Sequence, residues 1–295
     1  MSKPLPFSSL PPYPSLDPTP GRQRLEPFLT PILNETQTLI STTIPQQFRP
    51  DRKLRSSASS TAKVQVLTSS PGSGVEDYWV CRKSIHADSA VKGSASWTEF
   101  ERGLRENHSE NEMEYTPSVA SVENLVRWPV IEGLEGWKGI DMHVNMITHT
   151  FKPAGLISPR TFISLVISAY EPETSGNEDN DNPIQGFYTI QIPLLFQKDA
   201  PNNDVPDAIK QQILSVAPKN TIFAHYASVE RVRLLPPVAG NGDGNRRIEW
   251  IMATTSDAGG LIPQWVQRSW TMGGVPKAIV ADVGLFLGWV DKKRS

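Results

Sequence analysis

The chain has 295 residues, with 29 Lys and Arg against 31 Asp and Glu, 38% hydrophobic residues and a single cysteine, Cys81. That length gives one large domain or two small ones and enough side chains to bury a core. The balanced charge supplies no basic field for nucleic acid, and one cysteine excludes an internal disulfide and a multi-thiolate zinc site, so a reducing, cytoplasmic setting is expected.

In chain order, residues 1–21 read as a proline-rich disordered tail, and they lack the continuous apolar stretch of a secretory signal. Residues 22–295 read as a single domain. From Arg22 to Ile44, Leu25, Phe28, Leu29, Ile32, Leu33, Leu39 and Ile40 recur at helical spacing, with Pro45 expected to end the helix. A flexible link is expected over about 50–61, around the run SSASS at Ser56–Ser60. The period then switches to two. Strands are expected over Lys63–Leu67, Asp77–Ile85, Ile140–Phe151, Thr161–Tyr170, Gly186–Phe196, Thr221–Leu235 and Arg247–Thr255. PGSG at Pro71–Gly74 and GNGDGN at Gly240–Asn245 supply hairpin turns, and the acidic stretch Glu171–Pro183 supplies a long solvated loop.

A helix over Trp97–Asn107 opens at Ser96, with Glu99 at the third helical position to reinforce the cap. Beyond Gly259-Gly260, Trp265, Val266, Trp270, Ile279, Val280, Val283, Phe286, Leu287 and Val290 make an apolar face that GGVP at Gly273–Pro276 interrupts. The continuous apolar run is too short to span a bilayer, and Asp282 breaks it, so the segment is expected to cover a core.

Catalytic motifs are mostly missing: there is no G-x-S-x-G elbow, phosphate loop or H-E-x-x-H pair. His108-Ser109-Glu110 is half of a deaminase signature whose thiolate half one cysteine cannot supply. The acidic loop lacks the Gly and Glu of a calcium loop, and no metal or cofactor is expected. In DMHVNMITHTF, alternation puts Asp141, His143, Asn145 and His149 on one face and Met142, Val144 and Met146 on the other. The Met/Val face is expected to look inward. In FAHYASVERVRLL, Glu230 reads as a buried polar anchor or as half of a cross-strand ion pair with Arg247 or Arg82.

SVERVRLL, RRIEWIMATTSDAGGLIPQWVQ and the closing helix AIVADVGLFLGWV together resemble the C-terminal half of START-like lipid-transfer domains, in particular a fungal START-like family of uncharacterised function. The similarity extends upstream through WVCRKSIH, WTEFERGLRENHSENEMEYTP, MHVNMITHTF and SPRTFISLVIS, covering about Tyr78–Val290. The resemblance implies an α+β helix-grip fold, a curved antiparallel sheet around a long C-terminal helix with an apolar tunnel between them. Two departures stand out. Thr161 occupies a position where many START domains have Asp, and Val166 lies near the position of the charged residue that several sterol-binding members place in the following strand.

The leading expectation is non-catalytic binding of a lipid or sterol-like molecule and its transfer between membranes, through transient membrane contact and without nucleic acid. The expected contacts are Met142, Val144, Met146, Leu165, Ile190, Tyr226, Trp250 and Met252 on the strands, and Trp265, Val266, Ile279, Val283 and Phe286 near the C terminus. Gly273-Gly274 is the expected hinge, and Lys292, Lys293 and Arg294 could touch anionic headgroups. The alternative is a helix-grip enzyme acting on a polyketide-like or other hydrophobic substrate as a cyclase or isomerase, with His143, His149 or Glu230 as general acid or base. An adaptor with a filled core and an exposed apolar patch is a third reading.

Overall fold

The computed structural model describes residues 22–69, 78–151, 157–172, 185–194, 196, 205, 207–236, 246–258, 264–271 and 273–295. The proline-rich tail, the two glycine turns and most of the acidic stretch lie outside the described residues.

Alternating β-branched and aromatic positions produce eleven strands among the described residues: β1 Phe48–Pro50, β2 Arg55–Ser56, β3 Lys63–Ser69, β4 Val80–Ala87, β5 Val119–Arg127, β6 Ile131–Leu134, β7 Trp137–His149, β8 Arg160–Tyr170, β9 Gly186–Pro193, β10 Ile222–Leu235 and β11 Arg247–Asp257. They join in one sheet of order β1-β3-β4-β11-β10-β9-β8-β7-β5, with β2 on β3 and β6 on β7. Pairing is antiparallel except where Ile222–Ala224 runs parallel to Arg160–Phe162. That exception follows from Pro193, whose missing N–H ends β9 opposite Ser164 and leaves the remainder of β8 to the start of β10.

Helices cover both faces. α1 (Arg22–Thr38) continues through a π-helical turn at Leu39–Thr43 into α2 (Ile44–Gln47). Pro45 does not stop the helix as expected, because it falls in the first turn of α2, where its absent N–H has no partner to lose. The link expected to be flexible is held in place: it contributes β2, and the buried Ser57 hydroxyl donates to the Val280 carbonyl (2.6 Å) and accepts from the Gly284 amide (2.8 Å). Gly284 permits this approach, since a Cβ there would collide with the Ala58 carbonyl.

α3 (Trp97–Leu104) begins with the expected Ser96/Glu99 capping box. It ends short of Asn107, whose φ of 46° breaks the helix and starts a separate one, α4 (His108–Tyr115). α5 (Asp207–Val216) and α6 (Gln264–Gln267) follow, and α7 (Val275–Arg294) closes the fold after a break at Gly273, φ 79°. The architecture is α+β as expected, a large curved, mostly antiparallel sheet with a long C-terminal helix.

Two apolar clusters result. One joins the α1–α2 residues Leu25 to Ile44 to Met142, Val144, Met146, Ile163, Leu165, Ile190 and Val229. The other joins α7 through Ile279, Val283, Phe286 and Leu287 to Val64, Phe100, Leu104, Val232 and Trp250. The Met/Val face of β7 therefore looks toward α1. The polar face of the same strand looks toward α4, where Asn145 donates to Ser109 at 2.8 Å. The Met/Val face is inward as expected, but it packs in the core with α1 and not in the cluster that contains the closing helix. Periodicity separates two faces, and only the helices packed on each decide which one meets the closing helix.

Candidate functional site: a polar cavity beneath the closing helix

Strand register builds the floor of the site. Arg82 on β4 lies opposite Met252 on β11, Met252 opposite Glu230 on β10, and Glu230 opposite Thr189 on β9, one row across four adjacent strands. Flanking rows add Trp250 on one side, and Ser228 with Gln191 on the other. These residues line a cavity of about 50 Å³, with Tyr226 on the floor, His108, Glu112 and Tyr115 from α4 together with Thr116 on the wall, and Asp282 reaching in from α7.

At its centre is a buried charge cluster. Arg82 Nη2 donates to Glu230 Oε1 at 3.1 Å, and Trp250 Nε1 donates to the same oxygen at 2.7 Å. The guanidinium carbon lies 3.9 Å over the Trp250 ring. Arg82 is only 1% exposed, yet its Nε and Nη1 have no hydrogen-bond partner among the described residues. Unpaired donors at such burial are uncommon, because each forfeits hydration without compensation.

The carboxylates facing this cluster are of a different kind. Burial, reinforced by the charges of Asp282 and Glu230, raises the Glu112 pKa to about 7. Burial likewise raises Asp282 to about 6, even with Arg82 pulling it down. Neither side chain has a hydrogen bond or ion pair among the described residues. Burial also pushes the phenols of Tyr115 and Tyr226 upward. The volume suits roughly three or four water molecules, or a polar head of similar size, and falls well short of the several hundred Å³ typical of a drug-sized ligand. Its lining mixes charged and polar groups with the apolar surface of Trp250 and Met252, unlike the elongated apolar tunnel expected from the resemblance.

Of the residues expected to touch a ligand, Tyr226, Trp250 and Met252 line this cavity. Ile279, Val283 and Phe286 pack beside it in the α7 core. Met142, Val144, Met146, Leu165 and Ile190 are on the opposite face, in the core that α1 completes. Val266 is half-buried, and the Trp265 side chain lies outside the described residues. Of the three acid/base candidates only Glu230 reaches the cavity. His143 hydrogen-bonds Asp141 at 3.0 Å, and His149 hydrogen-bonds Ser118 at 3.1 Å, both elsewhere on β7. The Arg82–Glu230 pair is one of the two partnerships the sequence offers for Glu230.

Sequence reasoning missed the carboxylates. Asp282 is legible as the one carboxylate within the apolar run AIVADVGLFLGWV. Glu112 sits on the polar segment HSENEMEY, which has no apolar stripe to show where its faces point. Among the described residues, no cluster of His, Cys, Asp or Glu could hold a metal ion, and no helix is long and apolar enough to cross a membrane.

A family model described as a protein of unknown function, DUF3074, matches residues 79–290. No curated protein matches the sequence. Among solved structures, the chain is similar to human StAR-related lipid transfer protein 5, with TM-score 0.47 and 11% identity over 91% of this chain and 100% of that one. It is also similar to the lipid transfer and protein localization domain of human StarD13 (DLC2), with TM-score 0.40 and 12% identity over 86% and 95% of the two chains. A third similar structure is Ara h 8.0201, with TM-score 0.28 and 11% identity over 72% and 97%.

Proposed function

The chain belongs to the DUF3074 family, and from the cavity it carries we propose that it binds one small amphiphile, whose polar end occupies that cavity and whose apolar body lies under α7. The observation that carries this reading is Arg82. A guanidinium 1% exposed, with two donor nitrogens unpaired among the described residues and belonging to a residue that lines a partly open cavity, is matched by a ligand that supplies an acceptor. Met252, Trp250 and Tyr226 offer apolar surface beside it.

Entry requires α7 to yield, and its two ends differ. The C-terminal end is clamped: Arg294 binds Glu99 (2.6 Å), Asp291 (3.0 Å) and the Val91 and Ser94 carbonyls (both 2.9 Å). Lys293 also pairs with Glu114 at 2.7 Å. The N-terminal end starts from Gly273, where nothing would lie within 4 Å of an added Cβ. We propose that the helix swings at Gly273 and that delivery between membranes uses the same motion. Because Arg294 and Lys293 are committed to these pairs, membrane contact falls to the Gly273 end. The buried free thiol of Cys81, its pKa pushed up to about 12 by burial, supports a cytoplasmic setting.

The test is native mass spectrometry of the purified chain before and after incubation with liposomes, followed by organic extraction. The reading expects a one-to-one adduct, weakened at least about tenfold in Arg82→Met, a loss of roughly 1.4 kcal/mol. A chain that remains empty with every amphiphile offered refutes it.

A further inference from the structure

The charge count of the cavity narrows the ligand further, on the premise that an amphiphile binds there. Its lining holds one guanidinium and three carboxylates. Glu230 is committed to Arg82 and Trp250, which balances the guanidinium. Glu112 from α4 and Asp282 from α7 then remain in the same cavity without a hydrogen bond or ion pair among the described residues, near His108 and Arg82 respectively but paired with neither. Arg82 presents the opposite need, donors without an acceptor, through Nε and Nη1. A ligand that brings only an acceptor satisfies Arg82 and leaves the carboxylates unpaired, and one carrying a carboxylate adds a fourth negative charge.

We infer that the polar end taken by this cavity is an amino alcohol: a protonated amine seated between Glu112 and Asp282, with an adjacent hydroxyl oxygen accepting from Arg82. The size agrees, since about 50 Å³ suits a head of roughly four heavy atoms, and an amine and a hydroxyl on adjacent carbons are four. The aromatic walls agree as well, because Tyr226 and Tyr115 line the cavity with rings that tolerate a cation.

Binding is coupled to protons. Burial holds Glu112 and Asp282 partly protonated near neutrality, and an arriving ammonium draws them into the ionised form, so the protein releases protons as the ligand seats. The other groups facing the head are Arg82 from β4, His108 and Tyr115 from α4, and Tyr226 and Glu230 from β10.

Isothermal titration of the full chain with three ten-carbon amphiphiles tests this: a vicinal amino alcohol, the vicinal diol of the same chain, and the fatty acid of the same chain. At about pH 8 the amino alcohol is expected to bind at least about tenfold more tightly than either of the others. At about pH 6, buffers of different ionisation enthalpy should reveal net proton release on binding. In Glu112→Gln/Asp282→Asn the preference for the amine should fall to about onefold, with circular dichroism confirming that this variant is folded. Equal or tighter binding of the diol or the fatty acid overturns the amino-alcohol assignment alone. Failure of all three to bind overturns the binding reading together with it.

Discussion

Raising the pH from about 5 to about 8 sets the half-buried Glu112 and Asp282 against the buried His86 and the half-buried His149. Glu112 and Asp282, raised to about 7 and about 6, bind protons in the folded chain that they have already lost in the unfolded one. The stability they contribute is present at low pH and is lost as pH rises through those values. At 1.36 kcal/mol per unit, the two together cost about 4 kcal/mol over this interval. His86 and His149, both lowered to about 4 by burial, act with the opposite sign. Unfolding lets them take up protons below their ordinary value near 6.5, so they lose stability as pH falls and return about 4 kcal/mol as it rises to 8. Glu99 and Asp141, both held at about 2, act mainly below this range. Urea titration should therefore find the unliganded chain nearly level in stability between pH 5 and 8, within about 1 kcal/mol. Glu112→Gln/Asp282→Asn removes one arm, and its stability should climb by about 4 kcal/mol across the same interval. A variant whose profile stays level, parallel to the parent, would show that these two carboxylates ionise freely and that the cavity does not shield them from water.

Three further outcomes follow from named contacts. Arg82→Met strands the Glu230 carboxylate and should cost about 3–5 kcal/mol in urea unfolding, most of it recovered by Arg82→Met/Glu230→Gln; no recovery would mean the two groups are energetically independent. Gly284→Ala forces a methyl group against the Ala58 carbonyl and should cost about 1–3 kcal/mol; a neutral result would show that α7 stands off from the 57–58 segment. Met146→Ala should cost about 2–5 kcal/mol while leaving amphiphile affinity unchanged, because its side chain lies in the α1 core; a selective loss of affinity would place the ligand on the other face.

Legibility in the sequence followed the strength of local signals. The long strands β7, β8, β10 and β11 alternate over many residues and are found within a few residues of their expected bounds. The Ser96/Glu99 cap carries its own chemistry and fixes the start of α3. β5 escaped because its side chains are mostly half-buried on an edge paired only to β7, with two register shifts that disturb the alternation. α4 escaped because its residues are polar all round, and Asn107 separates it from α3 by one left-handed residue. The site suffered from the same gap. Arg82 and Glu230 could be paired from strand alternation alone, whereas assigning Glu112 needs the position of α4. Which face of β7 meets the closing helix depends on α1, which arrives from far away in the chain.

The covering of the sheet by α1 has a practical consequence. The span shared with the DUF3074 family starts at residue 79 and so omits α1, α2, β1, β2 and β3. A shortened polypeptide cut to that span would bare the side of the sheet carrying Met142, Val144, Leu165 and Ile190, and would leave the Val280 carbonyl and the Gly284 amide without the Ser57 hydroxyl. Such a fragment should come out of the cell as inclusion bodies, and expression trials on this family do better to start at or before Arg22.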